Sequence, residues 1–370
     1  MPKQILVAIY RGGTSRALFF HKAHLPERVE EQDELILNAF GSGHPLQIDG
    51  LGGGNPLTSK CAVISPPTVP EADVDYTFLY PAVETRMVDR KGNCGNISSA
   101  VGPFAVNEKL VPATSDVTSV LIHNTNTRSL LRATFATRDS RFFPEGDFSI
   151  DGVPGTGSRI ALEFLGDPSH PLLPTGNVRE QLEISELGRA IDVTILRAGN
   201  LTVFCKMDNL GISGDPHDWQ NDEGLWRKME AVRGAGAVRL GMADTLAEAR
   251  EKTPAVPKIV AVGPPEAYTD LQGRKLAKEN YQIRTLMAAM GVMHRSVAVT
   301  ATVSTAAAAV LPGSVAYDIR EGEGPDVHIG HPSGTLRAFA ELVQKDGAWE
   351  ATKVAISRTA RQILQGTVFV

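Results

Sequence analysis

The sequence has few cysteines and no long apolar run. Three cysteines among 370 residues are too few for a disulfide framework, which favours a reducing compartment. No stretch approaches the roughly 18 consecutive apolar residues of a membrane span, and the first apolar run is too short for a secretory signal. We therefore expect a cytoplasmic protein that does not enter a membrane.

The chain also lacks a strong excess of either charge. Its 37 basic and 42 acidic residues give a formal net charge of -5, and the isoelectric point is near 6.0. This balance leaves no excess of positive charge that would attract nucleic acid or an anionic membrane, so a small solute is the expected partner. The length and a hydrophobic content of 42% favour two domains with a substantial core.

Many short apolar segments, separated by Gly, Pro and Asp turns, predict strands with few helices between them. This pattern argues against a parallel βαβ sheet and favours an α+β fold. The strand-turn-strand pattern of residues 4–20 recurs at residues 191–205, so we expect a duplicated architecture. An alanine-rich segment within residues 283–311 favours a buried helix. The predicted domains are residues 1–185 with a C-terminal strand at 358–370, and residues 186–357.

A cysteine lies between turn-forming residues at positions 92–96, just before apolar residues that recur at helical spacing. If Asn96 caps this helix, the free N–H groups of the first turn point past Cys94. Such a helix start binds anions and favours a thiolate. A lone cysteine is by default a small buried hydrophobe. The rest of the chain favours a catalytic role for Cys94.

Lys60 lies between a glycine-rich turn at residues 50–59 and an apolar strand at residues 61–64. The turn does not match a dinucleotide-binding motif, because Pro56 interrupts it and a strand follows. A lysine at a strand end by default extends to water. Partial burial would instead make its amine a usable base at neutral pH.

The segment 330–335 precedes apolar residues at helical spacing, namely Leu336, Phe339, Ala340 and Val343. We expect a helix here, with the segment at its N-terminus as the counterpart of the Cys94 loop. Two helix N-termini facing one cleft would bind a molecule with several carboxylates. A thiol and an amine beside them could move a proton next to a carboxylate.

Several motifs along the chain resemble those of the PrpF-like family, which includes methylaconitate isomerase, methylitaconate isomerase and 4-oxalomesaconate tautomerase. The family is related in fold to diaminopimelate epimerase. The motifs follow the family's order and span almost the whole chain. They are RGGTSR (11–16), LTSK (57–60), GNCGN (92–96), GNLTVF (199–204), GHPSG (330–334) and RTAR (358–361).

The resemblance implies two pseudo-symmetric domains, each a β-barrel-like sheet around a central helix, with the active site between them. It implies that Lys60 and Cys94 carry a 1,3-proton shift, with neither metal nor organic cofactor. Epimerases of this fold use two facing cysteines, whereas Ser333 occupies the expected second position here, which favours allylic isomerisation. The chain departs from the family at Arg16, where lysine is usual, and at Leu201, where proline is usual.

The expected function is a cofactor-independent isomerase or tautomerase that moves a double bond in an unsaturated di- or tricarboxylic acid. Candidates are 4-oxalomesaconate, methylaconitate, aconitate and methylitaconate. The expected partner is a small polycarboxylate, and a homodimer is left open. The predicted catalytic residues are Lys60 and Cys94. The predicted substrate-binding residues are Thr14, Ser15, Asn55, Ser59, Gly95, Asn96, Asn200, His294, Ser333, Gly334 and Thr335, and no metal ligand is predicted.

Three alternatives stay open at this point. A racemase or epimerase of a small carboxylic acid would need a second acid or base facing Cys94. A metal-dependent hydrolase would rest on His328 and His331, which lack a third ligand at a recognisable spacing. A non-catalytic module that binds carboxylates would also fit the glycine turns. His294 lies in an apolar run and is by default a core histidine.

Overall fold

The computed structural model describes residues 3–90, 93–165, 170–289 and 292–370. Gly92 of the GNCGN motif lies outside these residues. The chain divides into two compact units. The first unit comprises Met1–Glu163 and Ser357–Val370, and the second unit comprises Phe164–Ile356. The domain boundaries derived from the sequence stay a prediction.

The first unit consists of short strands with two main helices between them. Its elements in chain order are β1 (Gln4–Gly12), β2 (Ser15–His21), α1 (Val29–Phe40), β3 (Lys60–Ser65), β4 (Val74–Pro81), β5 (Val88–Asp89), α2 (Gly95–Asn107), β6 (Val117–Asn124), β7 (Ser129–Arg138), β8 (Arg141–Phe142) and β9 (Ile160–Phe164).

Antiparallel and parallel pairings alternate in this unit. Strand β1 pairs antiparallel with β2, β2 pairs parallel with β3, and β3 pairs antiparallel with β4. Strand β4 then pairs parallel with β6, and β6 pairs antiparallel with β7. Parallel neighbours need a crossover connection, and α1 and α2 lie in the two crossovers.

The two helices pack on different apolar surfaces. Leu35, Ile36 and Phe40 of α1 belong to one core cluster with Leu18 and Phe20 of β2. Helix α2 is buried along most of its length, and its Phe104 ring lies 5.3 Å from that of Phe19 and 5.9 Å from that of Tyr10. A helix that is apolar on most sides is stable only when it is enclosed, so α2 is the central helix of this unit.

The second unit contains more helical segments. Its elements in chain order are β10 (Glu180–Ile184), β11 (Arg189–Ala198), β12 (Asn200–Lys206), α3 (Met207–Leu210), α4 (Pro216–Trp219), α5 (Glu223–Arg239), α6 (Leu246–Lys252), β13 (Lys258–Gly263), β14 (Tyr268–Thr269), β15 (Lys275–Leu276), β16 (Ile283–Ala289), β17 (Val292–Met293), α7 (Val299–Val310), β18 (Asp326–His331), β19 (Gly334–Lys345) and β20 (Ala348–Arg358). Strand β20 crosses the boundary between the units, since Ser357 and Arg358 belong to the first unit. The last strand, β21 (Ala360–Phe369), also belongs to the first unit and pairs antiparallel with β1.

The pairings of the second unit repeat those of the first. Strand β11 pairs antiparallel with β12, β12 parallel with β13, and β13 antiparallel with β16. Strand β16 pairs parallel with β18, and β18 antiparallel with β19. The expectation of a duplicated α+β architecture is therefore confirmed. Helix α7 occupies the position of α2 in this order and is likewise buried along most of its length.

The helix predicted after segment 330–335 is wrong. Residues Gly334–Lys345 form β19, which pairs with β18 on one side and with β20 on the other. Leu336, Ala338 and Ala340 are buried in alternation, which is the period of a strand. Segment 330–335 therefore contains a hairpin turn, and the helix that corresponds to α2 is α7.

The described helices include none that is both long and apolar enough to cross a membrane. The longest, α5, has 17 residues, and it packs against the sheet of the second unit through Leu225, Met229 and Val232.

Candidate active site

The two residues predicted to be catalytic lie together in the first unit. Lys60 is the first residue of β3, and its backbone lies opposite Ala17 of β2, two residues beyond Ser15. The side-chain nitrogen of Lys60, Nζ, donates to Ser15 Oγ at 2.8 Å and to Cys94 Sγ at 3.3 Å. Lys60 and Cys94 are each half-buried, and Ser15 is buried. An amine and a thiol are thus in hydrogen-bond contact at an accessible point.

Cys94 occupies the N-cap position of α2, with an extended backbone conformation. Its carbonyl accepts from the backbone N–H of Ser98 at 3.0 Å and from the Ser98 hydroxyl at 3.1 Å. The N–H groups of the first turn have no acceptor within the helix, and this end of a helix carries partial positive charge. Negative charge near Cys94 Sγ is therefore stabilised by the backbone.

The expectation that Asn96 caps α2 is wrong, because Asn96 is the second residue of the helix. Its amide nitrogen donates to Thr14 Oγ1 at 3.2 Å. Its amide oxygen accepts from Arg358 Nε at 3.2 Å and from the backbone N–H of Thr14 at 3.5 Å. A Cβ on Gly13, whose φ is +51°, would collide with this amide oxygen. The Asn96 side chain thus joins the β1–β2 turn to the start of α2.

Two further predicted residues shape the turn that precedes Lys60. Ser59 is fully buried and donates to Gln47 Oε1 at 2.6 Å, which also accepts from the backbone of Gly54 at 3.0 Å. Asn55 is exposed, and its side-chain oxygen accepts from the backbone of Leu57 at 2.8 Å. The hydroxyl of Ser59 therefore holds the turn in place. Its role as a substrate ligand stays a prediction, as does that of Asn55.

The predicted residues of the second unit lie in two places. Asn200 begins β12, and its side-chain oxygen accepts from the backbone of Leu201 at 2.8 Å. Ser333 lies in the β18–β19 turn, where its backbone donates to His331 Nδ1 at 3.1 Å and its hydroxyl donates to the carbonyl of Arg295. This turn also contains Gly334 and Thr335, the first residues of β19. Ser333, Gly334 and Thr335 are therefore not at a helix N-terminus, contrary to the expectation.

His294 belongs to the same neighbourhood of the second unit. Its Nδ1 accepts from the backbone of Ser296 at 3.2 Å, and the Ser296 hydroxyl lies 3.5 Å from His331 Nε2. His294 is half-buried, so it is not the core residue that its apolar neighbours in the sequence suggest. A polar cluster of two histidines and two serines therefore forms beside the β18–β19 turn.

Two residues of the first unit were missed by the sequence analysis. Arg358, in the RTAR motif, is buried at 4% exposure and bonded to Asn96. Tyr76 of β4 is fully buried, and burial raises its pKa well above the usual value, with the nearby Cys94 adding to the shift. The RTAR motif was a usable signal for Arg358, whereas Tyr76 lies in an ordinary alternating strand.

Cys94 is the accessible thiol of the chain. Cys61 and Cys205 are fully buried. Burial raises the pKa of the Cys205 thiol to about 12 and that of Cys61 further still. Both are therefore held neutral in apolar surroundings, and only Cys94 is placed to exchange a proton with a ligand.

The residues described by the structure include no group of three or more His, Cys, Asp or Glu side chains that could hold a metal ion. His328 and His331 both belong to β18, and His331 Nδ1 accepts from the backbone of Ser333. Among the residues that the structure describes, the metal-hydrolase alternative therefore has no group of side chains that could bind the metal.

Curated relatives cover nearly the entire chain. A 3-methylitaconate isomerase of Eubacterium barkeri is 40% identical, over 99% of this chain and 97% of its own length. A 2-methyl-aconitate isomerase of Shewanella oneidensis is 35% identical, with the same two coverages. A (4E)-oxalomesaconate Delta-isomerase of a Novosphingobium strain is 36% identical, over 97% of this chain and 96% of its own length.

Solved structures extend the likeness to the fold. The crystal structure of a methylitaconate-delta-isomerase superposes with a TM-score of 0.88 at 40% identity, covering 100% of this chain and 96% of the other. A hydroxyproline epimerase of Agrobacterium vitis superposes with a TM-score of 0.55 at 13% identity, covering 100% of this chain and 94% of the other. The second likeness shows the fold alone, which is of the diaminopimelate-epimerase type expected from the sequence.

The family resemblance noted in the motifs is confirmed over the full length. A family model described as "PrpF protein" matches residues 2–370. The full-length relatives and the superposition with the methylitaconate-delta-isomerase structure agree with this match. The chain belongs to the PrpF family.

Proposed function

We propose that this protein is an isomerase that moves a carbon–carbon double bond in an unsaturated di- or tricarboxylic acid by a 1,3-shift of a proton. The observation that carries the proposal is the 3.3 Å contact between Lys60 Nζ and Cys94 Sγ at the start of α2. Two proton carriers in contact, beside helix N–H groups that have no acceptor within the helix, form a site for removing and returning a proton next to a carboxylate.

The relatives support the same reaction class. Three of them, at 35% to 40% identity over nearly the whole chain, are named as isomerases of methylitaconate, methylaconitate and oxalomesaconate. These compounds have in common an unsaturated carbon skeleton that carries two or more carboxylates. The racemase alternative rests on a likeness of fold at 13% identity, which carries no argument about the reaction.

The proposed reaction is balanced in protons and electrons. The deprotonated partner of the pair, Lys60 or Cys94, removes the allylic proton, and the electron pair of that C–H bond shifts to form a dienolate. A proton from the pair then returns to the far carbon, and the double bond is left one position along. The N–H groups at the start of α2 stabilise the negative charge that develops on the carboxylate oxygens.

Ser15 and Asn96 have supporting roles in this scheme. Ser15 Oγ accepts from Lys60 Nζ at 2.8 Å, which limits the orientations of the amine. Asn96 holds the β1–β2 turn and Arg358 at the start of α2. Thr14 and Gly95 adjoin the same point and supply a hydroxyl and a backbone N–H. The residues of the second unit named above stay predicted substrate ligands.

The test is the uptake of solvent deuterium into the substrate, together with ultraviolet absorbance. A panel of methylaconitate, aconitate, itaconate-type and oxalomesaconate-type acids identifies the substrate, because conjugation changes when the double bond moves. Lys60→Ala and Cys94→Ser proteins should each lose about 10²–10⁴-fold or more in exchange rate. The exposed Lys345→Ala protein is the matched control and should keep the rate of the unmodified protein.

Near-normal exchange by both catalytic variants would contradict the proposal. So would an unmodified protein that isomerises no acid of the panel. The cytoplasmic location does not enter this scheme and stays a prediction, and the homodimer that the sequence left open does not enter it either.

A further inference from the structure

Arg358 is a buried cation with few protein acceptors. It is 4% exposed, its Nε donates to Asn96 Oδ1 at 3.2 Å, and its Nη1 donates to the carbonyl of Ser357 at 3.0 Å. Both acceptors are neutral. A guanidinium carries five N–H donors, so most of its hydrogen-bonding capacity has no acceptor among the described residues.

Two other buried arginines show what a complete set of partners is in this protein. Arg233 is 3% exposed and pairs with Glu230 at 2.7 Å. Arg284 is also 3% exposed, and it lies 3.4 Å from Glu266 and over the rings of Trp219 and Tyr268. Each therefore has a carboxylate.

Arg358 has no such carboxylate among the residues that the structure describes. Burial lowers the pKa of its guanidinium, and no acidic neighbour opposes that shift. A buried charge without an opposite charge beside it is unfavourable, so proteins rarely keep one without a use for it. An anion from outside the chain would supply the charged partner that the described residues do not.

The position of Arg358 identifies where that anion would bind. Its acceptor Asn96 is two residues beyond Cys94 in the first turn of α2. A Cβ on Gly13 would lie 3.2 Å from Arg358 Cδ, so the arginine stem crosses the β1–β2 turn beside Thr14. The guanidinium therefore lies at the helix start that also presents the thiol.

We propose that Arg358 binds a carboxylate of the substrate and thereby makes the site selective for acids with more than one carboxylate. The proposal rests on the proposed function, in which the substrate is a polycarboxylate. A guanidinium and a carboxylate form two parallel hydrogen bonds, which fix the plane of the bound group. One anchored carboxylate would thus orient the allylic carbon toward Lys60 and Cys94.

The test measures binding without turnover, using three saturated acids that cannot be isomerised. Tricarballylate has three carboxylates, glutarate lacks its central one, and methylsuccinate lacks one of its terminal ones. Isothermal titration gives the dissociation constant of each acid for the unmodified protein and for Arg358→Gln. The matched control is Arg361→Gln, which removes the exposed second arginine of the same motif.

Arg358→Gln should weaken tricarballylate binding by about 10- to 100-fold, because a hydrogen bond to a charged group is lost. The same substitution should leave almost unchanged the binding of whichever dicarboxylate lacks the contacted carboxylate. Arg361→Gln should bind all three acids as the unmodified protein does. Equal weakening of all three acids by Arg358→Gln would overturn the proposal, since a structural or general electrostatic role predicts that result.

Arg358→Lys is the second variant, in case Arg358→Gln does not fold. It keeps the charge but not the paired hydrogen bonds, and it should bind tricarballylate with an intermediate constant. Thermal unfolding followed by circular dichroism establishes that each variant is folded. Unchanged tricarballylate binding in a folded Arg358 variant, or no binding of any acid to the unmodified protein, would overturn the proposal. A protein that binds these acids but isomerises none of the panel would instead contradict the proposed function alone.

Discussion

The start of α2 in the first unit and the start of α7 in the second have the same place in the fold but different chemistry. Helix α2 begins after Cys94, whose thiol accepts from Lys60. Helix α7 begins after Ala298, and its first residues are Val299 and Thr300. The strand pairings around the two helices follow the same order. A duplicated fold therefore does not require a duplicated proton carrier.

The lysine position nevertheless recurs. Lys60 begins β3 opposite Ala17, and Lys258 begins β13 opposite Thr202, so each lies at the first parallel pairing of its unit. Burial lowers the pKa of Lys258, and the positive charge of Arg233 lowers it further. What the second unit lacks is the thiol at its central helix. The thiol, rather than the lysine, therefore distinguishes the first unit from the second, and under the proposed function Lys60 moves a proton whereas Lys258 does not.

The largest expected effect tests this conclusion directly. Lys60→Ala should reduce the rate of deuterium exchange by about 10²–10⁴-fold, because it removes one of the two proton carriers. Lys258→Ala should leave the rate constant of that exchange close to that of the unmodified protein, since no thiol accompanies it. Equal losses in the two variants, measured on the same acid, would mean that both lysines take part and that the contrast between the units is incorrect.

A smaller effect is expected at Ser15, which limits the orientation of Lys60. Ser15→Ala removes the 2.8 Å hydrogen bond to Nζ and should lower kcat by roughly 2- to 10-fold, as expected for the loss of one typical hydrogen bond. The Michaelis constant should change less than kcat, because the substrate need not lose a contact. Ser115→Ala, on an exposed serine, is the control. A change in the Michaelis constant alone would show that Ser15 binds substrate instead of orienting the amine.

The sequence was sufficient for the structural positions of Lys60, at the start of a strand, and of Cys94, at the start of a helix. Their catalytic roles came from the family resemblance and stay part of the proposal. A glycine-rich turn before an apolar strand places Lys60, and small residues before a helical pattern place Cys94. The sequence was insufficient for the contact between Arg358 and Asn96, because the two residues are far apart in the chain and nothing near either of them encodes it. Long-range pairs of this kind are fixed by the fold and not by local preference.

Strand β19 shows a different limit of predicting structure from sequence. Leu336, Phe339, Ala340 and Val343 have the spacing of a helix, but Leu336, Ala338 and Ala340 also alternate as in a strand. Pairing with β18 and β20 on both sides decides between the two periods, because it satisfies the backbone groups of the segment. The interpretation of Ser333 as a helix-start residue followed from the incorrect period. The structural basis for that interpretation of Ser333 is therefore removed.

The smallest effect, an absence of alkylation, is expected at Cys205, the thiol of the second unit. Iodoacetamide should alkylate Cys94 in the folded protein while leaving Cys205 and Cys61 unmodified, as measured by peptide mapping. The two latter thiols are fully buried and their raised pKa keeps them protonated at mildly alkaline pH, whereas the thiolate is the reactive form.

Tricarballylate should slow the labelling of Cys94, because it would occupy the same helix start. In denaturant all three cysteines should react, which controls for reagent activity. Labelling of Cys205 in the folded protein would show an accessible thiol in the second unit, and the contrast between the two units would then fail.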